Sequence, residues 1–120
     1  MHELAVTESI LRIAEKHAIQ AEAKKVTDIL LVIGNLSSIV DESVMFYWEL
    51  ISKDTICEGS VIHFKRLPAK MLCLACNHMF ELSGELIPCP NCNSFQIKIE
   101  SGEEFFLESI EIERDLNDNR

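Results

Sequence analysis

The sequence predicts an α+β protein with a small metal-stapled segment set into it, and three observations carry that expectation. Helix-period and strand-period patterns alternate twice over residues 4–67. Two tight cysteine pairs then break the pattern. A final alternating stretch, 105–113, follows them.

The first element is a helix over 4–22. Thr7 to Ala23 contain no Gly or Pro, and Val6, Ile10 and Ile13 with Leu11, Ala14 and Ala18 recur at three-to-four spacing. Glu8, Arg12, Glu15 and Lys16 form its wet face. The chain then turns β-branched from Val26 to Ile33, and Gly34-Asn35 stops that strand. Its unbroken apolar run, Ile29 to Ile33, predicts cover on both faces. Asp41 is the expected N-cap of a second helix reaching Lys53, with Val44, Trp48 and Ile51 on one stripe.

Glu58-Gly59-Ser60 turns the chain into a strand, Val61 to Leu67, where Ile62 and Phe64 alternate with His63 and Lys65. Strand, helix and strand in this order suit a crossover with parallel pairing. Pro68 opens the cysteine segment. Phe95 to Ile99 is expected to leave it as a short strand, with Ser101-Gly102 as a turn. Ile110 and Ile112 alternate with Glu111 and Glu113, which predicts a strand returning to the first sheet. The tail 115–120 is polar and expected to fray.

Bulk composition excludes several function classes. The 120 residues carry 20 acids against 11 bases, a formal charge of −9, and no Lys/Arg cluster exceeds a pair. A nucleic-acid binder needs a basic footprint to neutralise phosphates, and a membrane-surface binder needs one too. No apolar run approaches the ~20 residues of a bilayer span. Met1-His2-Glu3-Leu4 has no basic, then apolar, leader pattern, so the expected compartment is the cytoplasm. The five cysteines are an odd number and argue against a disulfide framework.

Cys73-Leu74-Ala75-Cys76 and Cys89-Pro90-Asn91-Cys92 stand twelve residues apart. Each pair forms a knuckle that aims two thiolates at one point, and two knuckles complete a tetrahedron around Zn(II). With four thiolates committed no coordination position stays open, so the expected role is structural. Pro88, Pro90 and Asn93 supply turn chemistry. Four-thiolate ligation also suits iron, and a redox pair would need a helix start after a strand. Cys57 is expected to be a small buried hydrophobe. His17, His63 and His78 are expected at the surface.

Met1-His2-Glu3 offers an α-amine, an amide nitrogen and an imidazole that can close adjacent chelate rings. Such a nitrogen-rich set suits square-planar Ni(II) or Cu(II), with the Glu3 amide or a carboxylate as fourth donor. By itself the tripeptide is a weak signal, since His at position 2 arises often by chance.

Taken in order, these signals resemble the HypA/HybF family of nickel metallochaperones of NiFe-hydrogenase maturation. The resemblance runs through Met1-His2-Glu3-Leu4, Ile33-Gly34-Asn35-Leu36-Ser37, the Glu58-Gly59 turn, both cysteine pairs and Ser101-Gly102-Glu103-Glu104 with Ile110-Glu111-Ile112-Glu113. It implies two helices on a three-stranded mixed sheet, with a zinc-ribbon-like domain inserted before the last strand. The implied division is a nickel-binding domain of 1–68 with 101–114, a zinc domain of 69–100, and the tail 115–120. It also implies Ni(II) held by Met1, His2 and Glu3, with zinc on Cys73, Cys76, Cys89 and Cys92.

The implied partners are a HypB-type GTPase and the hydrogenase large subunit, in some organisms also urease maturation proteins, with the chain a monomer or homodimer. Asp41 and Glu42 lie near the place where some relatives put an acid beside nickel. Some relatives place a His after each cysteine pair, whereas here His78 follows only the first. No enzymatic constellation is present in the sequence: no Ser/His/Asp set and no Gly-rich phosphate loop. The alternative reading is a zinc-ribbon binding or scaffold module, for protein or nucleic acid, without nickel transfer.

Overall fold

The computed structural model describes residues 3–82 and 87–114. Chain order is α1 (Glu3–Gln20), β1 (Lys25–Gly34), α2 (Asp41–Ile51), β2 (Val61–Leu67), β3 (Ala69–Cys73), β4 (Met79–Leu82), β5 (Ile97–Ser101) and β6 (Phe105–Glu113). The first sheet has the order β2-β1-β6 and the second β4-β3-β5. Contacts divide the chain into one unit of 1–31, 38–65 and 106–120 and another of 32–37 and 66–105.

In the first sheet β6 runs antiparallel to β1. The Lys24 N–H donates to the Glu113 carbonyl and the Gly34 N–H to the Glu104 carbonyl, so one number rises as the other falls. β2 runs parallel to β1: His63 lies beside Asp28, and further along the Asn35 N–H donates to the Leu67 carbonyl. The sheet is therefore mixed, and α1 and α2 pack against each other. Burial follows the predicted stripes. Ile10, Ala14 and Ala18 of α1, Val44 and Trp48 of α2, and Val26, Ile29 and Leu31 of β1 are all buried. In the run Ile29 to Ile33 only Leu30 keeps partial exposure, as the apolar composition required.

α2 begins differently from the expectation. Asp41 is the first helical residue and not the cap. Val40 occupies the cap position at φ −101° and ψ 125° and makes no side-chain capping bond. Valine has no acceptor to offer; instead the Glu3 carboxylate, 37 residues away, accepts the Val40 N–H at 3.4 Å. This is the reach-back half of a capping box supplied from another helix. Asp41 and Glu42 then fall in the first turn, where the helix dipole favours negative charge.

The cysteine segment holds more regular structure than its sequence suggests. β3 pairs antiparallel with β4, Ala69 opposite Leu82 and Leu72 opposite Met79. It also pairs antiparallel with β5, Cys73 opposite Ile97, with an irregularity between Lys70 and Met71. The expected strand at 95–99 is displaced to Ile97–Ser101. Ala69, Met71 and Leu82 form a small core, with Phe80 and Ile97 packed against it. In this unit Gly34 faces Gly102, which sits at φ +122°; a Cβ on Gly34 would overlap the Gly102 carbonyl. The close backbone approach demands glycine there.

Candidate metal centres

The two cysteine knuckles are built alike. In the first, the Asn77 N–H donates to the Cys73 carbonyl at 2.8 Å, and the Cys73 N–H donates to the His78 carbonyl at 2.9 Å. In the second, Asn93 donates to Cys89 at 2.7 Å and Cys89 to Ser94 at 2.9 Å. Asn77 and Asn93 both adopt the left-handed region, at φ 64° and 65°. Asparagine tolerates that conformation better than any other residue carrying a Cβ. An Asn directly after each cysteine pair was thus a local signal for the turn that closes each knuckle. Of the two, Asn93 is the one assigned turn chemistry from the sequence, and Asn77 carries the same signal.

The four Sγ atoms all lie within 4.8 Å of one another. Cys73 and Cys92 are 3.5 Å apart, and Cys76 and Cys89 are 3.6 Å apart. A tetrahedron with Zn–S bonds of about 2.3 Å has sulfur–sulfur edges of about 3.8 Å. Spacing, donor softness and ligand number therefore fit Zn(II), and all four residues anticipated for zinc converge on one point. Bound there, the ion would neutralise the thiolates and tie together the two knuckles.

Asn91 supports the cluster from outside, a role that spacing alone did not reveal. Its backbone N–H donates to Cys89 Sγ and its side-chain amide to Cys76 Sγ, each at 3.4 Å. The side-chain bond is the main reason the Cys76 thiol is lowered to about 6, helped by the His78 backbone and the neighbouring thiols. At Cys92 the Ser94 backbone pulls downward. Contact with Cys73, burial and the other two thiols outweigh it, and the thiol is raised to about 12. Like charges packed this closely resist full ionisation without a cation. Cys57 is fully buried, and burial, then the Glu15 charge, pushes its thiol up to about 11. It is the inert small hydrophobe expected.

Met1 and His2, anticipated as nickel ligands, lie outside the described residues. Glu3, the third, opens α1. Its carbonyl accepts the Thr7 hydroxyl at 2.6 Å, and its carboxylate accepts the Val40 N–H. Glu3 is thereby tied to the start of α2, where Asp41 and Glu42 stand. His17, His63 and His78 are exposed, as expected; His63 Nε2 lies 2.8 Å from Asp28 Oδ1. A groove of about 390 Å³ lined by Ile13, His17, Leu107 and Ile110 involves none of the metal-site residues.

Known proteins resemble this chain over most of its length. Over residues 1–112 the chain matches the family model described as HypA, hydrogenase/urease nickel incorporation, metallochaperone. A hydrogenase maturation factor HypA of Dehalococcoides mccartyi (strain CBDB1) is 42% identical over 113 residues, 94% of this chain and 95% of the relative. The factor of that name from Caldanaerobacter subterraneus subsp. tengcongensis is 39% identical over 114 residues, 94% of this chain and all of the relative, at 100%. The solution structure of the Ni metallochaperone HypA from Helicobacter pylori superposes with a TM-score of 0.68. It is 24% identical and covers 96% of this chain and 100% of that one. A second solution structure, of a HypA protein, gives a TM-score of 0.72 at 24% identity, covering 96% and 98%. At that identity the structural likeness speaks for the fold.

Proposed function

This chain belongs to the HypA family of hydrogenase/urease nickel-incorporation metallochaperones, and from that premise we propose that it carries Ni(II) on Met1, His2 and Glu3. We propose further that it passes the ion on with a HypB-type GTPase to the NiFe-hydrogenase large subunit in the cytoplasm. Urease maturation proteins are alternative recipients, and the chain acts as a monomer or homodimer. The Cys73, Cys76, Cys89 and Cys92 cluster holds zinc as a structural staple of 69–100 and takes no part in transfer.

The observation that supports the nickel site is the Glu3–Val40 contact. It ties Glu3, the described member of the tripeptide, to the N-terminal end of α2, whose first turn holds Asp41 and Glu42; carboxylates there favour a divalent cation. A carrier must also release its cargo. Donors at a chain end are few and loosely braced, and each competes with protons.

The test is a nickel titration of untagged protein beginning at Met1, beside a His2→Ala variant. Wild type takes up one Ni(II), and the variant loses it while keeping zinc and fold. Affinity falls as pH drops from about 8 to about 6, because the α-amine (about 7.7–8.0) and imidazole (about 6.5) must shed protons to ligate. Stoichiometric nickel on the His2→Ala protein, or pH-independent binding, would place the site elsewhere.

A further inference from the structure

α2 is apolar on both of its faces. Val44 and Trp48 point inward at 0% and 3% exposure, whereas Met45, Phe46 and Leu50 point outward at 50%, 59% and 59%. The helix cannot roll to hide them. Trp48 Nε1 donates to Ser60 Oγ at 2.9 Å, and the Ser60 hydroxyl donates in turn to the Cys57 carbonyl, which fixes the inward face. Clustered large apolar side chains held exposed on a rigid helix mark an interaction surface.

The charge around this face is one-sided. Residues 38–60 hold five acids, Asp41, Glu42, Glu49, Asp54 and Glu58, against a single base, Lys53. Glu42 and Glu49, seven residues apart, share the outward face with the three apolar side chains. A second copy of the same face would set carboxylates against carboxylates. A partner carrying lysine or arginine around an apolar patch would match it.

We propose that the outward face of α2, formed by Met45, Phe46 and Leu50 with Glu42 and Glu49, docks a protein whose contact surface is apolar with a basic rim. That protein is the one that exchanges nickel with this chain. The placement supplies the reason. The N-terminal end of α2 is tied through Val40 to Glu3, so a partner seated on this helix stands close to Glu3, one of the three residues proposed to hold the ion. The inference rests on the nickel-carrier reading above.

The test uses the full zinc-loaded chain with two purified probes, a HypB-type GTPase and a hydrogenase large-subunit precursor. Binding of each is measured for wild type, Phe46→Glu/Leu50→Glu and Glu42→Lys/Glu49→Lys, with circular dichroism to confirm the fold. The apolar double variant is expected to weaken at least one probe about tenfold or more. The charge double variant should weaken the same probe and flatten its salt dependence. Nickel titration of each variant should match wild type.

Unchanged affinity of both probes for the two variants would overturn the proposal. So would a wild-type dimer that dissociates on Phe46→Glu/Leu50→Glu while probe binding persists, since the face would then belong to a second copy. A wild-type chain that takes up no nickel at all would instead sink the carrier reading, and the titration separates the two failures.

Discussion

Glu3 faces two ways. Its carbonyl is tied to Thr7 and its carboxylate to Val40, so one side chain links the start of α1 to the start of α2. His63 and Asp28 make a second residue-scale device, on adjacent parallel strands. Asp28 is held below its ordinary 3.8, first by the hydrogen bond from His63 and then by that from Thr27. A depressed carboxyl contributes stability above its unfolded pKa and loses it as pH falls through the lower folded value. His63→Ala should therefore move the Asp28 titration upward toward 3.8, followed by NMR of its carboxyl carbon. A midpoint that stays put would mean Thr27, and not His63, sets it.

At the scale of elements, the entry to α2 is the weak joint. Val40 sits in cap geometry without a capping side chain, and an N-cap hydroxyl or carboxylate is ordinarily worth about 0.5–2 kcal/mol. Val40→Ser should stabilise the protein by about 0.5–1 kcal/mol, seen as a higher Tm in thermal unfolding. An unchanged Tm would show that the first-turn N–H groups of α2 gain nothing from a side-chain acceptor at position 40. The knuckles are stronger joints, because each pairs a left-handed Asn with a backbone bond to the first cysteine of its pair. Asn93→Val should cost about 1–2 kcal/mol and loosen zinc retention. Retention in a competition with a chromogenic chelator equal to wild type would show that the turn tolerates a branched side chain.

For the whole molecule, zinc and burial divide the labour. Among the described residues the second sheet's own core is small: Ala69, Met71 and Leu82 are buried, with Phe80 and Ile97 partly covered. So little apolar burial leaves metal binding to supply much of its folding free energy. Stripping zinc should abolish amide-exchange protection at Met71 and Ile97 while Ile29 and Leu31 stay protected. Protection surviving at Met71 in metal-free protein would show that the core suffices unaided. The charge of −9 acts at this scale too, since it favours encounter with basic partners and screens out with salt.

The sequence alone determined whatever depends on short spacing. C-x2-C pairs converge because the knuckle is local. The stripes Ile10/Ala14/Ala18 and Val44/Trp48 face inward because helical period is local, and β1 and β6 are strands because alternation and β-branching are local. Only the tertiary structure decided the rest. β3 and β4 are too short to show a period, and in β3 the apolar Leu72 hides the inward alternation of Ala69, Met71 and Cys73; pairing across the sheet makes them strands. Asp41 looked like the cap because capping residues are judged by type, whereas Val40 is satisfied by a carboxylate 37 residues away. Asn91 serves two sulfurs from different knuckles, a role no single stretch of chain encodes. Short-range geometry is written in the order of residues, and long-range hydrogen bonds exist only after the chain has closed on itself.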